Sequence, residues 1–270
     1  MNSSQEVLQI LTGKAKEKAM YSTVKTILLG IMAGAFIGMG YMAFIRITGT
    51  LSPELSGLSG FLGGAVFPIG LICIVFIGGE LVTGNMMVLS IGYFNKEVSI
   101  RQVLRNWLLA MTGNLMGGIM VAYFFGHIAG VTEGVFLEKT LSVAAGKVAE
   151  SPLVAFISAI GCNIFVCIAV WMGTASKTYM GKVMASWFPV MIFVLIGFQH
   201  VVANVFIIPA AMFSGASEIT VPQFLSNILF VFLGNAVGGA VFVALPCFLL
   251  YRKQPAEEVA EVPVLLEVEK

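Results

Sequence analysis

Stretches without a single Asp, Glu, Lys or Arg take up most of this chain. They cover 26–45, 55–79, 81–95, 106–132, 151–176, 183–217 and 219–251. A helix of about 20 apolar residues crosses a hydrocarbon core about 30 Å thick, so the stretches predict six membrane-spanning helices, with an irregular second and a very long fifth. Charged residues make up 11% of the 270 residues and hydrophobic residues 58%, whereas roughly a quarter of an average soluble chain is charged. A soluble enzyme is therefore nearly excluded, and the expected fold class is an all-α membrane protein in a lipid bilayer.

Lysine and arginine are distributed unequally between the two sides of the predicted membrane. With six spans, twelve of the 15 basic residues fall on the side of the termini, and Arg46, Lys139 and Lys147 fall on the other. Because cytoplasmic loops are enriched in Lys and Arg, we expect a multi-pass protein of the cytoplasmic membrane with both termini in the cytoplasm. The net charge of +1 gives no reason to expect a nucleic-acid partner. The expected organisation is a cytoplasmic segment 1–25, a membrane domain 26–251 and a cytoplasmic tail 252–270.

An internal repeat relates the two halves of the membrane domain. Residues 78–85 read Gly-Gly-Glu-Leu-Val-Thr-Gly-Asn and 197–204 read Gly-Phe-Gln-His-Val-Val-Ala-Asn, at an offset of 119 residues. The segments 113–118 and 234–239 share Gly-Asn-x-x-Gly-Gly at an offset of 121. Since each half holds three spans, an odd number, the halves must run in opposite directions, which is the inverted-topology plan of many transporters and channels. The two repeat halves are about 26–132 and 151–251.

The first repeated motif predicts that spans two and five are each interrupted. Glycine weakens a helix, and the side chain of Glu80 or Gln199 can bond backbone groups that a break sets free. The alternative is a continuous helix whose glycines pack closely against a neighbour. For the second motif we expect packing only, with Asn114 or Asn235 bonded across to a partner helix.

Few polar side chains are expected deep in the membrane, and His200 is the leading candidate for a functional one. Ionisable groups inside a membrane mark transport paths by default, although a buried neutral histidine bonded to a carbonyl is the alternative. Asn163 and Asn204 either line the same cavity or only connect helices. Glu80 matches Gln199 in the repeat, so we expect a hydrogen-bonding shape there rather than a charge.

Bulky apolar side chains on both sides of His200 suggest two dry constrictions. Phe193 lies two helical turns before His200, about 10.5 Å to the cytoplasmic side along an uninterrupted helix. Leu81 also falls on the cytoplasmic side of the centre, and Phe67 falls on the outer side. Such necks resist hydrated ions and favour compact species. Lys147 could attract anions at the outer mouth, although a lone lysine in a loop is more often merely solvated.

At these motifs the sequence resembles the formate/nitrite transporter family, over about residues 5–251. The resemblance is carried by 79–85, by the stretch from Cys162 and Asn163 to Trp171, and by 197–204. It implies a homopentamer of aquaporin-like protomers, each with its own pore, that passes small monovalent anions such as formate, nitrite or hydrosulfide. No cofactor and no metal are expected.

The resemblance also implies roles for single residues in the two constrictions. The inner constriction would be formed by Leu81 and Phe193. The outer constriction would be formed by Phe67, Leu71 and Val166.

Between the constrictions, the resemblance implies a chamber that holds the anion. Thr83 and His200 would contact the anion there. They would be helped by Asn163 and Asn204, and Lys147 would lie near the chamber on its outer side.

One departure from the family pattern concerns the residue before the central histidine. Many formate and nitrite members have Glu there, whereas this chain has Gln199. Because Gln carries no charge, anion selectivity is expected to differ from that of formate and nitrite members. The sequence of residues 197–204 looks most like that of the hydrosulfide-channel branch.

Three other classes of protein remain as alternatives. An aquaporin-type channel for water or neutral solutes would need paired Asn-Pro-Ala boxes, and the sequence contains no Asn-Pro dipeptide. An intramembrane enzyme is disfavoured because neither H-E-x-x-H nor G-x-S-x-G occurs. A purely structural membrane scaffold would give no reason for paired helix breaks or a deep histidine.

Overall fold

The computed structural model describes residues 1–252, and every regular element among them is a helix. The tail expected at 252–270 therefore lies outside the described residues, apart from Arg252. Two π-helical segments, Val121–Ile128 and Gly238–Ala244, continue α6 and α11, and short 3₁₀ turns lie at Pro53–Leu55 and Gly134–Phe136. The α-helices are α1 (Ser4–Ala19), α2 (Thr23–Thr48), α3 (Ser56–Val66), α4 (Ile69–Ile77), α5 (Val82–Phe94), α6 (Ile100–Met120), α7 (Leu137–Ala149), α8 (Pro152–Ala175), α9 (Tyr179–Ile196), α10 (Val201–Phe213), α11 (Val221–Val237) and α12 (Leu245–Tyr251).

Within the described residues, six helical stretches are long and apolar enough to cross a membrane, which confirms the predicted number of spans. α5 and α10 are shorter apolar helices that follow the second and fifth spans. Asn2 at the start of the chain bonds the carbonyl group of Thr174, and α1 packs against α12, so both ends of the described chain lie on one face. We call this the terminal face and the opposite one the distal face. The six spans are Thr23–Thr48, Ser56–Ile77, Ile100–Ile128, Pro152–Ala175, Tyr179–Ile196 and Val221–Tyr251.

Each half of the molecule contains one pair of helices in very close contact, α2 with α6 and α8 with α11. A methyl group on Gly34 would lie 2.2 Å from the carbonyl oxygen of Asn114, and one on Gly234 would lie 2.2 Å from that of Phe156. Glycine is therefore required at both crossings, as is common where membrane helices pack closely. The two pairs occupy equivalent places in the repeat.

The starts of α6 and α11 extend the repeat beyond its two glycine-containing motifs. Ser99 and Gln102 form a reciprocal capping box at α6, and Thr220 and Gln223 form the same box at α11. The offset between the boxes is 121 residues, equal to that of the Gly-Asn-x-x-Gly-Gly pair. The two helices thus begin, and later pack, in the same register.

The N-terminal segment 1–25 is more closely joined to the membrane domain than its polar composition indicates. It forms α1, whose apolar face buries Val7, Leu8, Leu11 and Ala15, and this face packs mainly on α5. Amphipathic patterning explains the arrangement, because apolar residues three and four apart share one side of a helix. α1 therefore covers the terminal face of the helix that follows the first break.

Candidate functional site

Spans two and five are both interrupted, as the repeated motif predicts. α4 ends at Ile77 and α5 begins at Val82, while α9 ends at Ile196 and α10 begins at Val201. Each first helix is closed by a glycine in the left-handed region, Gly78 with φ 94° and Gly197 with φ 87°. A side chain would be strained at these angles, which is why the motif starts with Gly in both halves.

Asn114 satisfies the backbone groups that the first break sets free. Its Oδ1 accepts from the backbone N–H of Val82 at 3.0 Å. Its Nδ2 donates to the carbonyl groups of Glu80 and Gly30, both at 2.9 Å. One carboxamide carries both donors and an acceptor, so it can serve both sides of a break at once.

Asn235 does the same at the second break. Its Oδ1 accepts from the N–H of Val201 at 3.0 Å, and its Nδ2 donates to the carbonyl groups of Gln199 at 3.2 Å and Ala159 at 2.8 Å. The expectation that Glu80 and Gln199 would bond the freed backbone groups is therefore wrong for both segments. The asparagines of the second repeated motif have this role, beyond the packing role expected for them.

The Glu80 side chain instead ties the first break to neighbouring helices. It accepts hydrogen bonds from Asn85 at 2.7 Å and Asn106 at 3.3 Å, and it pairs with the ammonium group of Lys18 on α1. Glu80 is buried, and a buried carboxylate is stable only when it is paired and hydrogen-bonded. The first break is thus anchored to α1, α5 and α6.

The second break is anchored in the same pattern without a carboxylate. Gln199 accepts from Asn204 at 2.7 Å and donates to the carbonyl group of Lys147 at 3.3 Å. The ammonium group of Lys147 donates to the carbonyl groups of Gly197 and Phe198 at 3.0 and 3.2 Å. Lys147 lies in helix α7, not in a loop as expected, and this helix holds it against the break.

The N-termini of α5 and α10 meet through Thr83 and His200, both buried. Thr83 Oγ1 lies 3.1 Å from His200 Nε2, and His200 Nδ1 accepts from the N–H of Ala203 at 3.1 Å, capping α10. Because Nδ1 is an acceptor, a neutral ring carries its proton on Nε2 and donates it to the Thr83 oxygen. The hydroxyl proton of Thr83 is then free for another acceptor.

Phe193 contacts His200 across the second break. Its ring stacks on the imidazole with the ring centres 5.6 Å apart, and it meets Phe67 edge-on at 6.0 Å. The expected axial distance of about 10.5 Å assumes a rise of 1.5 Å for each residue, and this rise does not continue to His200 because the helix ends before Gly197.

The apolar residues are grouped differently from the expected constrictions. Leu71, expected in the outer constriction, lines the same cavity as Leu81 on the terminal face. Phe193, expected beside Leu81, contacts Phe67. Val166 is buried in the apolar cluster that includes all four residues. Leu71 and Leu81 thus lie together on the terminal side, and Phe67 and Phe193 lie together, with Phe193 stacked on His200.

Asn163 and Asn204 use their amide donors within the protein. Asn163 Nδ2 donates to the carbonyl groups of Thr83 at 3.1 Å and Asn235 at 2.7 Å. Asn204 Nδ2 donates to Gln199 at 2.7 Å and to Asn227 at 2.7 Å. These contacts match the helix-connecting alternative, and Asn163 holds the backbone of Thr83 in place.

Asn106 and Asn227 belong to these networks and were missed in the sequence. Asn85 donates to Asn106 at 2.9 Å just as Asn204 donates to Asn227 at 2.7 Å. Their offset of 121 residues equals that of the Gly-Asn-x-x-Gly-Gly pair. Extending the repeat toward the starts of α6 and α11 would have found them.

Trp187 is a further residue that no motif pointed to. α3 and α4 are separated at Phe67 and Pro68, and proline disrupts a helix because it lacks an N–H and its ring clashes with the preceding turn. The indole N–H of Trp187 on α9 donates to the carbonyl group of Ala65 at 2.8 Å, beside this break. Trp187 thus supports the turn that carries Phe67.

We expect Trp187→Phe to lower the free energy of unfolding by about 1–2 kcal/mol, because the carbonyl group of Ala65 loses its donor. Trp171→Phe is the matched control, since the Trp171 indole nitrogen makes no hydrogen bond within the described residues and the change leaves no acceptor without its donor. Thermal melting of the two purified variants measures the difference. Equal melting temperatures would show that the bond to Ala65 contributes nothing.

Two half-helices whose N-termini meet at the centre of six spans are a construction typical of membrane transport proteins with inverted repeats. The family model described as "Formate/nitrite transporter" matches residues 5–249. The chain therefore belongs to the formate/nitrite transporter family, which confirms the family resemblance.

Named relatives and solved structures agree with this assignment. "Formate channel BtFdhC" of Bacillus thuringiensis is 42% identical over 250 residues, 93% of this chain and 96% of that protein. "Uncharacterized transporter YrhG" of Bacillus subtilis (strain 168) is 49% identical over 229 residues, 84% of this chain and 85% of that protein. A solved "FNT family ion channel" matches with a TM-score of 0.84 at 28% identity, over 89% of this chain and 97% of the other. A "Pentameric formate channel with formate bound" matches with a TM-score of 0.76 at 30% identity, over 86% and 98%.

Proposed function

We propose that this protein is a channel that passes small monovalent anions through a pore within each protomer. The observation that carries this proposal is the meeting of the N-termini of α5 and α10 at Thr83 and His200. A helix N-terminus carries about half a positive charge and exposes unpaired N–H groups. Two of them facing one buried point favour an anion there and disfavour a cation.

Hydrogen-bond donors at this point replace part of the hydration shell of the anion. The hydroxyl group of Thr83 is the side-chain donor, since it accepts from His200 Nε2 and keeps its own proton. A second proton would have to bind the imidazole at Nδ1. It would break the hydrogen bond that Nδ1 accepts from the backbone N–H of Ala203. The geometry therefore favours hydrogen bonding to the anion over delivery of a proton by His200.

Charge at the two helix breaks supports anion entry from the distal face. At the first break the Lys18 charge is neutralised by Glu80. At the second break, the uncharged Gln199 takes the place of Glu80 and donates a hydrogen bond to the carbonyl group of Lys147. Lys147 makes no ion pair within residues 1–252. An ammonium group that is not bound in an ion pair raises the local anion concentration near a narrow entrance.

The assembly and orientation are part of the same proposal. A solved relative described as a pentameric formate channel supports a homopentamer in which every protomer keeps its own pore. The excess of Lys and Arg on the terminal face supports a cytoplasmic position for both termini, in the cytoplasmic membrane.

Formate, nitrite and hydrosulfide are the candidate substrates. The relative named as a formate channel and the structure with formate bound support formate. The absence of a carboxylate at Gln199 supports hydrosulfide, by resemblance to that branch. All three fit a site that offers few donors between two apolar necks.

Flux measurements on proteoliposomes test the function. We expect formate, nitrite and hydrosulfide to enter at rates well above those of protein-free liposomes, with little K⁺ flux and little osmotic water permeability. The ranking of the three anions across pH then identifies the preferred substrate. Fast water flow without anion flow would instead support the aquaporin-type alternative and overturn the proposal.

A further inference from the structure

A cavity of about 650 Å³ opens on the terminal face between α1, α4, α5 and the loop joining α8 to α9. Leu71 and Leu81 are among its apolar lining residues. Its polar and charged lining comes largely from Lys14, Glu17, Lys18, Tyr21, Glu80, Lys177 and Lys182. The cavity is far larger than a triatomic anion requires, since one water molecule takes about 30 Å³.

The positive charge of this cavity is only partly neutralised within the described residues. Glu80 is paired with Lys18, and Glu17 accepts a hydrogen bond from the Tyr21 hydroxyl at 2.6 Å. Lys14, Lys177 and Lys182 make no ion pair in residues 1–252. Three ammonium groups that form no ion pair among these residues therefore line one cavity.

Crowding of these cations is visible at Lys14 on α1. Burial is the largest cause that lowers the pKa of Lys14 below its usual value; the charges of Lys18 and Lys182 lower it further, and the charge of Glu17 acts in the opposite direction. The N-terminus of α9, an 18-residue helix, begins between Lys177 and Lys182 at Tyr179, and its dipole adds positive potential. The positive potential of this cavity favours an anion as its ligand.

We propose that this cavity binds a polyvalent phosphate-bearing anion, such as pyrophosphate or a nucleoside phosphate, which closes the pore entrance at Leu71 and Leu81. Cavities of about 300–1,000 Å³ suit ligands of this size, and several lysines favour phosphate groups over a monovalent anion. The blocking step rests on the proposed anion pathway and on the cytoplasmic position of the terminal face. The binding step does not depend on either.

Calorimetric titration of the purified protein with inorganic pyrophosphate, at fixed ionic strength, tests the binding step. We expect the double variant Lys14→Gln/Lys182→Gln to bind at least about tenfold more weakly, as for loss of charge-assisted contacts. The double variant Lys16→Gln/Arg101→Gln removes two exposed charges that do not line the cavity and should bind like the wild type. Equal weakening in both, or no saturable binding by the wild type, would overturn the proposal.

Flux of formate with pyrophosphate on both sides of the proteoliposome membrane tests the blocking step. We expect a loss of flux in the wild type and in Lys16→Gln/Arg101→Gln, and much less loss in Lys14→Gln/Lys182→Gln. Pyrophosphate binding with unchanged flux would overturn the block. Flux that is absent even without pyrophosphate would instead count against the proposed function and leave the binding result standing.

Discussion

His200→Phe and His200→Asn should both lower anion flux at least about tenfold. Each removes the imidazole Nε2 that bonds Thr83, so the Thr83 hydroxyl loses the partner that orients its proton toward the pore. Loss of one preorganised hydrogen bond to the anion costs on the order of 1.5–3 kcal/mol. This energy corresponds to a roughly tenfold or larger loss of anion flux. Flux of formate and hydrosulfide into proteoliposomes measures the effect.

The two replacements separate the site role of His200 from its structural role. His200 Nδ1 caps α10 through Ala203, and Asn is a good capping residue whereas Phe is not. We therefore expect His200→Phe, but not His200→Asn, to lose about 0.5–2 kcal/mol of folding stability. His127→Phe changes the second histidine of the chain, which is bonded to Glu133, and should keep its flux. Normal flux in His200→Asn would remove the imidazole from the mechanism.

Asn114→Leu should destabilise the protein more than either His200→Phe or Trp187→Phe. The replacement keeps the number and branching of the side-chain heavy atoms, but it leaves the N–H of Val82 and the carbonyl groups of Glu80 and Gly30 without their side-chain partner. Each buried polar group left unsatisfied costs about 1–3 kcal/mol, so the total loss is about 3 kcal/mol or more. Thermal melting and the yield of folded protein in detergent measure it.

Two further variants give this prediction its control and its symmetry test. Thr112→Val lies two residues earlier on α6 and removes one local bond at an exposed position, so it should melt like the wild type. Asn235→Leu removes the equivalent bonds at the second break and should cost about as much as Asn114→Leu. A wild-type melting temperature for Asn114→Leu would show that the break does not depend on this amide.

Features that depend on local composition could be read from the sequence. The six spans follow from the summed hydropathy of about 20 neighbouring residues, and hydropathy needs no knowledge of partners. The interruptions at Gly78 and Gly197 could be predicted because a glycine-led motif occurs twice at one offset. The family followed from the same motifs.

Features that depend on which side chain meets which were predicted less well. Asn114 and Asn235 were expected only to pack, and Glu80 and Gln199 were expected to bond the backbone groups freed by the breaks. Spacing alone does not tell which amide side chain reaches a freed carbonyl group. The ring contact between Phe193 and His200 could not be predicted because counting residues assumes a straight helix. Cross-helix partners such as Trp187 on α9 and Ala65 on α3 are 122 residues apart, and hydropathy contains no information on such pairs.

The sparse charge of this chain, by itself, determined that it is a six-span membrane protein, since a bilayer excludes unpaired charge whatever the fold. The two repeated motifs, also read from the sequence alone, determined the inverted repeat. Only the tertiary structure decided that Thr83 and His200 meet at 3.1 Å and that Phe193 stacks on the same histidine. The reason is that each break turns the chain through a left-handed glycine. Contacts with α6, α7 and α11 then fix the directions of α5 and α10, the helices that follow the two breaks.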